Sequence, residues 1–277
     1  MIPKIIHYCW FGGNPLPELA QKCIASWKKY CPDYEIIEWN ESNFDISSVD
    51  FMREAYEEKV WGFVPDVARL QIILNNGGIY LDTDVEVVRP LDDLLNNKVF
   101  AGIENNYDKN YIALGLGFGA EKGSEFLIKL LEQYEDIHFR NSDGTLNNIP
   151  APTMQDDIMS AMGFNGKNES QKICRGTVYI YSSEYFCPMS PYTGILNMTE
   201  NTYSIHHYMG SWLSEDDANF TAEQRRIFLK YGDGLKANFF VALLMVKFKI
   251  KTVGIKDTFI LICKKCISLI TEKKSGH

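Results

Sequence analysis

No stretch of this sequence reaches the ~18 uncharged apolar residues that a membrane span requires, because charged residues interrupt every apolar cluster. The opening Met1–Cys9 reads as a strand broken by Lys4 rather than as an export signal, so a cytoplasmic protein is expected. The seven cysteines, at 9, 23, 31, 174, 187, 263 and 266, are odd in number and scattered, which argues against a disulfide framework. Cys263-x-x-Cys266 has no second such pair, and zinc or redox chemistry is not expected of it. Internal repeats and low-complexity tracts are also missing. An excess of positive charge is lacking as well, with a net charge of −8, so nucleic acid is not expected as the main partner.

What is present suits one large α/β domain, alone or with an appendage: 277 residues, 45% apolar, 23% charged and 13% aromatic. The charge is unevenly placed. Residues 235–277 hold nine lysines against Asp257 and Glu272, a local +7 that leaves −15 on residues 1–234. A boundary is therefore expected near Gly232–Gly234, dividing a domain over 1–234 from a basic, helical tail over 235–277. Apolar clusters interleaved with lysine fit an amphipathic helix at a membrane interface, on the cytoplasmic face of the inner membrane. Packing of that tail on the body, or on another subunit of a homo-oligomer, fits the composition equally.

Apolar spacing predicts strands over Lys4–Trp10, Tyr34–Trp39, Ile79–Asp82, Val85–Val88, Val99–Glu104, Leu114–Phe118, Tyr179–Ser182 and Tyr203–Tyr208. It predicts helices over Glu18–Tyr30, Phe51–Val60, Pro65–Asn75, Ser124–Tyr134, Thr153–Met162 and Ala222–Lys230. Pro65 suits a first helical turn and Gly77-Gly78 a left-handed stop. The alternation of types predicts a sheet between helical layers.

The most informative segment is GGIYLDTDVEV, residues 77–87. An apolar strand delivers Asp82 and Asp84 into a turn at its carboxyl end, where open α/β sheets place ligands. Two carboxylates one residue apart can share a hard divalent cation such as Mg²⁺ or Mn²⁺, which would neutralise charge on a diphosphate leaving group. A pair of solvated turn aspartates gives the same pattern. Asp66 and Arg69, three apart, lie on one face of the preceding helix, either as ligand-binding groups or as an ordinary surface ion pair.

Three motifs in order, IPKIIHYCWFGG, VPDVARLQIILNNGGIYLDTDVEV and IHHYMGSW, resemble the DXD-containing glycosyltransferases of family 32, which include bacterial capsular and lipopolysaccharide sugar transferases. The resemblance is dense over residues 2–95 and returns at 203–213. It implies a GT-A nucleotide-sugar-binding fold and a Mn²⁺- or Mg²⁺-dependent reaction that retains anomeric configuration. A hexose or N-acetylhexosamine would pass from a nucleotide sugar, with UDP as carrier, to a saccharide or lipid-linked acceptor in surface-polysaccharide synthesis. By the same resemblance Trp10 stacks on the donor base, with His7 and Tyr8 supporting that pocket. Asp66 and Arg69 hold nucleoside and sugar, and Asp82 and Asp84 bind the metal with Tyr80 and Thr83 about them. Pro65 replaces the family's usual Ser. His207, in an H-Y-M-G segment like the H-F-x-G of glycogenin relatives, is the expected third metal ligand, with His206 turned away. Ser211 and Trp212 resemble a pair that covers the diphosphate.

In the middle of the chain Asp156, in PTMQDDIM, is a candidate for the donor sugar, although helix starts favour acidic residues anyway. Glu104 and Asn105 are a second candidate for the sugar hydroxyls. Two other classes compete. A haloacid-dehalogenase-type phosphatase also uses a strand ending in D-x-D, but ~80 residues precede the strand here, whereas that strand normally opens its domain. A non-catalytic sugar-nucleotide-binding module would share every motif.

Overall fold

The computed structural model describes residues 1–106, 109–210, 213–255 and 257. In chain order the elements are β1 (Ile5–Cys9), α1 (Glu18–Tyr30), β2 (Glu35–Trp39), α2 (Asp50–Glu57), α3 (Val64–Asn76), β3 (Gly78–Tyr80), β4 (Val85–Val87), β5 (Val99–Asn106), β6 (Lys109–Ala113) and β7 (Phe118–Ala120). There follow α4 (Glu125–Glu132), α5 (Ala151–Met154), α6 (Asp156–Ala161), β8 (Gln171–Ile173), β9 (Val178–Tyr181), α7 (Ser183–Phe186), β10 (Ser204–His206), α8 (Glu215–Tyr231) and α9 (Leu235–Val253).

The chain forms two compact units. The first spans residues 1–191 and 196–212, and the second residues 192–195 and 213–277. The division at residue 213 differs from the boundary expected near 234, because α8 groups with α9. The first unit is the expected α/β architecture. Its eight-stranded mixed sheet has the order β2-β1-β3-β7-β5-β9-β8, with β6 pairing β5, and a separate ribbon joins β10 to β4. Strands β1, β2 and β3 are parallel, β7 runs against both β3 and β5, and β9 is parallel to β5. The carboxyl ends of β1, β3 and β5 therefore share one edge.

Strand alternation sorts side chains to the two sheet faces. Ile6, Tyr8, Ile79 and Phe100 pack with Trp27 and Cys23 of α1, while Cys9, Tyr80 and Ala101 pack with Val67 and Leu70 of α3 and with Phe51 of α2. The sheet is thus covered on both faces, as its apolar strands require.

Four of the predicted segments take a different form. The apolar run Leu114–Phe118 is a 3-10 turn over Leu114–Leu116, after which Gly117 (φ 120°) re-enters the sheet as β7. The segment 153–162 is two short helices rather than one, broken at Gln155, whose side chain is buried. Strand β10 stops at His206, two residues before Tyr208, whose φ of 52° is incompatible with extended pairing. Helix α8 starts at Glu215 rather than Ala222, because the Ser214 side chain accepts the Asp217 N–H as a cap.

Candidate functional site

The acidic turn is built by the elements around it. α3 ends at Gly77, and Gly78 (φ 110°) opens β3 at once. A Cβ on Gly78 would lie 2.8 Å from both His7 Nε2 and the Ile5 carbonyl, so only glycine lets β3 seat against β1 here. After Tyr80 the chain turns, the Val85 N–H donating to the Asp82 carbonyl at 3.0 Å. Helix α1 then holds the returning strand: Trp27 Nε1 donates to the Val85 carbonyl at 2.7 Å, and Ser26 Oγ accepts the Val87 N–H at 2.9 Å.

Strand β10 pairs antiparallel with β4, in the register Ser204 to Val87, Ile205 to Glu86 and His206 to Val85. That register brings His206 to the turn. Its Nε2 lies 3.3 Å from Asp84 Oδ1 and 3.9 Å from Asp82 Oδ2, and one ligand atom from each of Asp82, Asp84 and His206 falls within 4.8 Å of the others. His207 faces the other way, 2.9 Å from Glu86 Oε2. The expectation of His207 as third ligand is therefore corrected to His206. Adjacent side chains do point to opposite sides, but the pairing register reverses which of the two faces the aspartates.

Each carboxylate is held. Asp82 lies 3.5 Å from Arg69 Nη1, with the buried Tyr80 hydroxyl helping to favour the ionised carboxylate. Asp84 Oδ2 accepts the Met209 N–H at 2.7 Å, while its carbonyl accepts the His207 N–H at 3.0 Å. The left-handed turn at Tyr208 aims that Met209 N–H, and Tyr208 is fixed in turn by Cys187 Sγ at 2.9 Å and by Glu104. Gly115, in the 3-10 turn between β6 and β7, closes the wall: a Cβ there would sit 2.4 Å from Asp82 Oδ2 and 3.2 Å from Arg69 Nη1.

Electrostatics follow from this packing. Burial alone would push the Asp82 carboxyl up, but Arg69 and then His206 outweigh it and hold the group below the usual carboxylate range. Burial alone would push His206 down, yet Asp84, Asp82 and Glu104 raise it above the ordinary imidazole value. Burial pushes the Glu104 carboxyl up. The His206 Nδ1 is buried without a hydrogen-bond partner. Two carboxylate oxygens and an imidazole nitrogen on rigid backbone are a donor set suited to Mn²⁺ or Mg²⁺, so these residues fit a divalent cation.

Other expected site residues lie in varied places. Asp66 and Arg69 form an ion pair, and it is buried rather than exposed, with 8% and 5% of the residues accessible. Arg69 therefore stands between Asp66 and Asp82 and positions the acidic turn. Trp10 is half-buried at the end of β1, with its Nε1 donating to the Asn14 carbonyl at 2.6 Å. Thr83 is buried within the turn and Tyr80 beneath it. Three expectations need correction. His7 is fully buried, with Nε2 against the Gly77 carbonyl and Nδ1 accepting from Trp39 Nε1, each at 3.0 Å, so neither ring nitrogen is left for a donor. The buried Tyr8 donates its hydroxyl to Glu38 on β2 at 2.6 Å. Asp156 pairs with Lys109 of β6 rather than with Arg69 or the acidic turn. Ser211, Trp212, Cys263 and Cys266 lie outside the described residues.

Sequence reasoning missed His206, Gly115, the Met209 N–H and the Tyr208 turn. For His206 the signal was present in the neighbouring histidine. Gly115 and the Met209 amide carry no side-chain chemistry from which to infer them.

Residues 17–101, running from α1 to the start of β5, match the family described as glycosyltransferase sugar-binding region containing DXD motif. Inositol phosphoceramide mannosyltransferase 3 of Schizosaccharomyces pombe is 32% identical over 148 residues, covering 50% of this chain and 38% of that protein. Inositol phosphoceramide mannosyltransferase 1 of the same yeast is 31% identical over 114 residues, covering 36% and 33%. The chain thus spans less than two-fifths of the length of these curated relatives. Among solved structures, PaToxG glycosyltransferase aligns with 22% identity and a TM-score of 0.38, over 48% of this chain and 60% of that one. The matched segment is the one that carries Asp82 and Asp84.

Proposed function

We propose that this chain is a divalent-metal-assisted glycosyltransferase of GT-A type, using a nucleoside diphosphate sugar as donor. The observation that carries the reading is the Asp82–Asp84–His206 cluster at the carboxyl edge of the sheet, whose two aspartates lie within a segment matched to a DXD sugar-binding region. Asp82, Asp84 and His206 would hold the ion, which when bound supplies positive charge to the departing diphosphate.

The chain's own groups set the geometry. Arg69 fixes Asp82 and carries one buried positive charge beside the acidic turn. The Met209 N–H orients Asp84. The half-buried Trp10 ring supports stacking of the donor base at the end of β1. Tyr208, tied to both Glu104 and Cys187, keeps the backbone after β10 in place. A uridine carrier, retention of configuration, membership of family 32 and a role in surface-polysaccharide synthesis complete the proposal on resemblance. The names of the yeast relatives add a mannosyl donor and a lipid acceptor to the candidates.

The test is release of nucleoside diphosphate from a panel of UDP- and GDP-linked sugars with Mn²⁺, without added acceptor. Turnover should require both aspartates: Asp82→Asn with Asp84→Asn should abolish it. His206→Ala should weaken Mn²⁺ binding by about 100-fold or more, while His207→Ala should leave it near wild type. Hydrolysis of phosphomonoesters with sugar nucleotides left intact would point to the phosphatase class. Donor binding without release of nucleoside diphosphate, with or without saccharide acceptors, would point to a binding module.

A further inference from the structure

The second unit presents a helix face that its own packing leaves uncovered. α9 buries Ala237 and Val241 against Phe228 of α8, the two helices lying antiparallel-sequential in the chain with only Gly232–Gly234 between them. On the opposite face stand Leu235, Phe239, Leu243, Val246, Ile250 and Val253, spaced by four or three residues and therefore forming one continuous stripe. None of the six is buried, and Phe239 and Leu243 are 61% and 53% accessible. Polar residues normally occupy the solvent side of a two-helix unit, so an apolar stripe there marks a contact surface.

The charges beside the stripe identify what it contacts. α9 contains Lys236, Lys247, Lys249 and Lys251 and no acidic residue, in a chain whose net charge is −8. At 100° per residue Lys236 and Lys247 fall on one margin of the stripe and Lys249 on the other. Lys251 is directed away from it, to Asp216 on α8. We propose that α9 docks on an anionic lipid surface, lying in the interfacial plane with the stripe in the acyl boundary and the marginal lysines among the headgroups. An apolar face bordered by lysines is the pattern of an interfacial helix. Self-pairing through the same stripe would bring lysine margins together and repel. Among the described residues no helix is long and apolar enough to cross a membrane, so the helix lies on the surface rather than spanning it. The inference stands apart from the transferase reading, since it concerns the second unit and is read by lipid binding alone.

Sedimentation of the full chain with vesicles tests it, comparing pure phosphatidylcholine with an equimolar mixture of phosphatidylcholine and phosphatidylglycerol. The wild-type chain should bind the anionic vesicles and bind the neutral ones far less. Phe239→Ser with Leu243→Ser should lower binding at least about tenfold, because affinity scales with the apolar area inserted. Lys247→Glu with Lys249→Glu should lower it by roughly fivefold or more per lysine, and only on anionic vesicles. All four positions are outside the unit's core, so an unchanged thermal melt will show that each variant folds. Wild-type chain left in the supernatant would overturn the proposal. So would undiminished binding by the apolar variant. A concentration-dependent dimer that the apolar variant abolishes, without vesicle binding, would overturn it in favour of a second copy.

Discussion

His7 shows how a residue can serve a site without touching its ligand. Its two ring nitrogens do opposite work: Nε2–H donates to the Gly77 carbonyl and Nδ1 accepts from Trp39, so the folded chain needs the neutral imidazole. Burial pushes its pKa down to about 4, the Gly77 carbonyl opposing that shift. In the unfolded chain the ring titrates near the ordinary value of about 6.5. Between those two values the unfolded state takes up a proton that the folded state refuses, so stability falls as the pH drops through the window and levels below it. The full effect is about 3 kcal/mol for this one group. Urea unfolding of wild type and His7→Gln at pH values from neutral to about 4 isolates it, because other titrating groups cancel in the difference. Wild type should lose the additional stability on acidification, and parallel profiles for the two proteins would remove His7 from this role. The same residue marks a limit of the sequence. The family resemblance assigned His7 to a donor pocket, but whether a histidine faces a cleft or a neighbouring strand is decided by sheet order, and β3 beside β1 leaves His7 no cleft.

At the level of elements, the acidic turn is shaped by an interruption in the strand beside it. β6 and β7 both run against β5, and the 3-10 turn between them withdraws the backbone where β3 ends. Gly115 in that turn lets Asp82 and Arg69 approach. Gly115→Ala should therefore displace the Asp82 carboxylate rather than unfold the sheet. Donor turnover is expected to fall about 100-fold, with a stability cost within about 1–3 kcal/mol. Kinetics on the preferred donor, paired with a thermal melt, would check this, and full activity in the variant would mean the turn has room to spare. This interruption explains what was and was not legible beforehand. The β1, α1, β2 and α3–β3 segments were readable because a proline at the first turn and a glycine stop agree with the apolar period, and Glu18–Tyr30 is matched to the residue. The run Leu114–Phe118 has the composition of a strand, and only its fit against Asp82 makes part of it a turn. Likewise one-residue parity separates His206 from His207, and parity is fixed by the β4–β10 register, a long-range pairing that no local pattern encodes.

At the scale of the molecule, the two units rest on very different cores. The first buries both faces of a mixed sheet under helices. The second, among the described residues, has Phe228, Ala237 and Val241 as its buried cluster, with Tyr192, Ile227 and Tyr231 partly buried around it. The basic composition of residues 235–277 was visible in the sequence, but the membership of α8 was not, because its acidic first turn reads as part of the acidic body. So small a core gives local stability well below that of a full domain. Phe228 is its largest fully buried side chain and packs against Tyr192 with the rings tilted, their centroids 5.3 Å apart. Phe228→Ala should cost about 3–5 kcal/mol, more than two helices with this little buried surface can absorb. Amide exchange in α8 and α9 should then accelerate to near the unprotected rate, while β1, β3 and β5 keep their protection. If the sheet lost protection in step with the helices, the chain would unfold as one cooperative body. If exchange in α8 and α9 did not change, the cluster around Phe228 would not be what holds the pair together. Anionic vesicles should restore protection to α9 in the variant, since a surface that binds only the folded helix pair shifts its folding equilibrium by mass action.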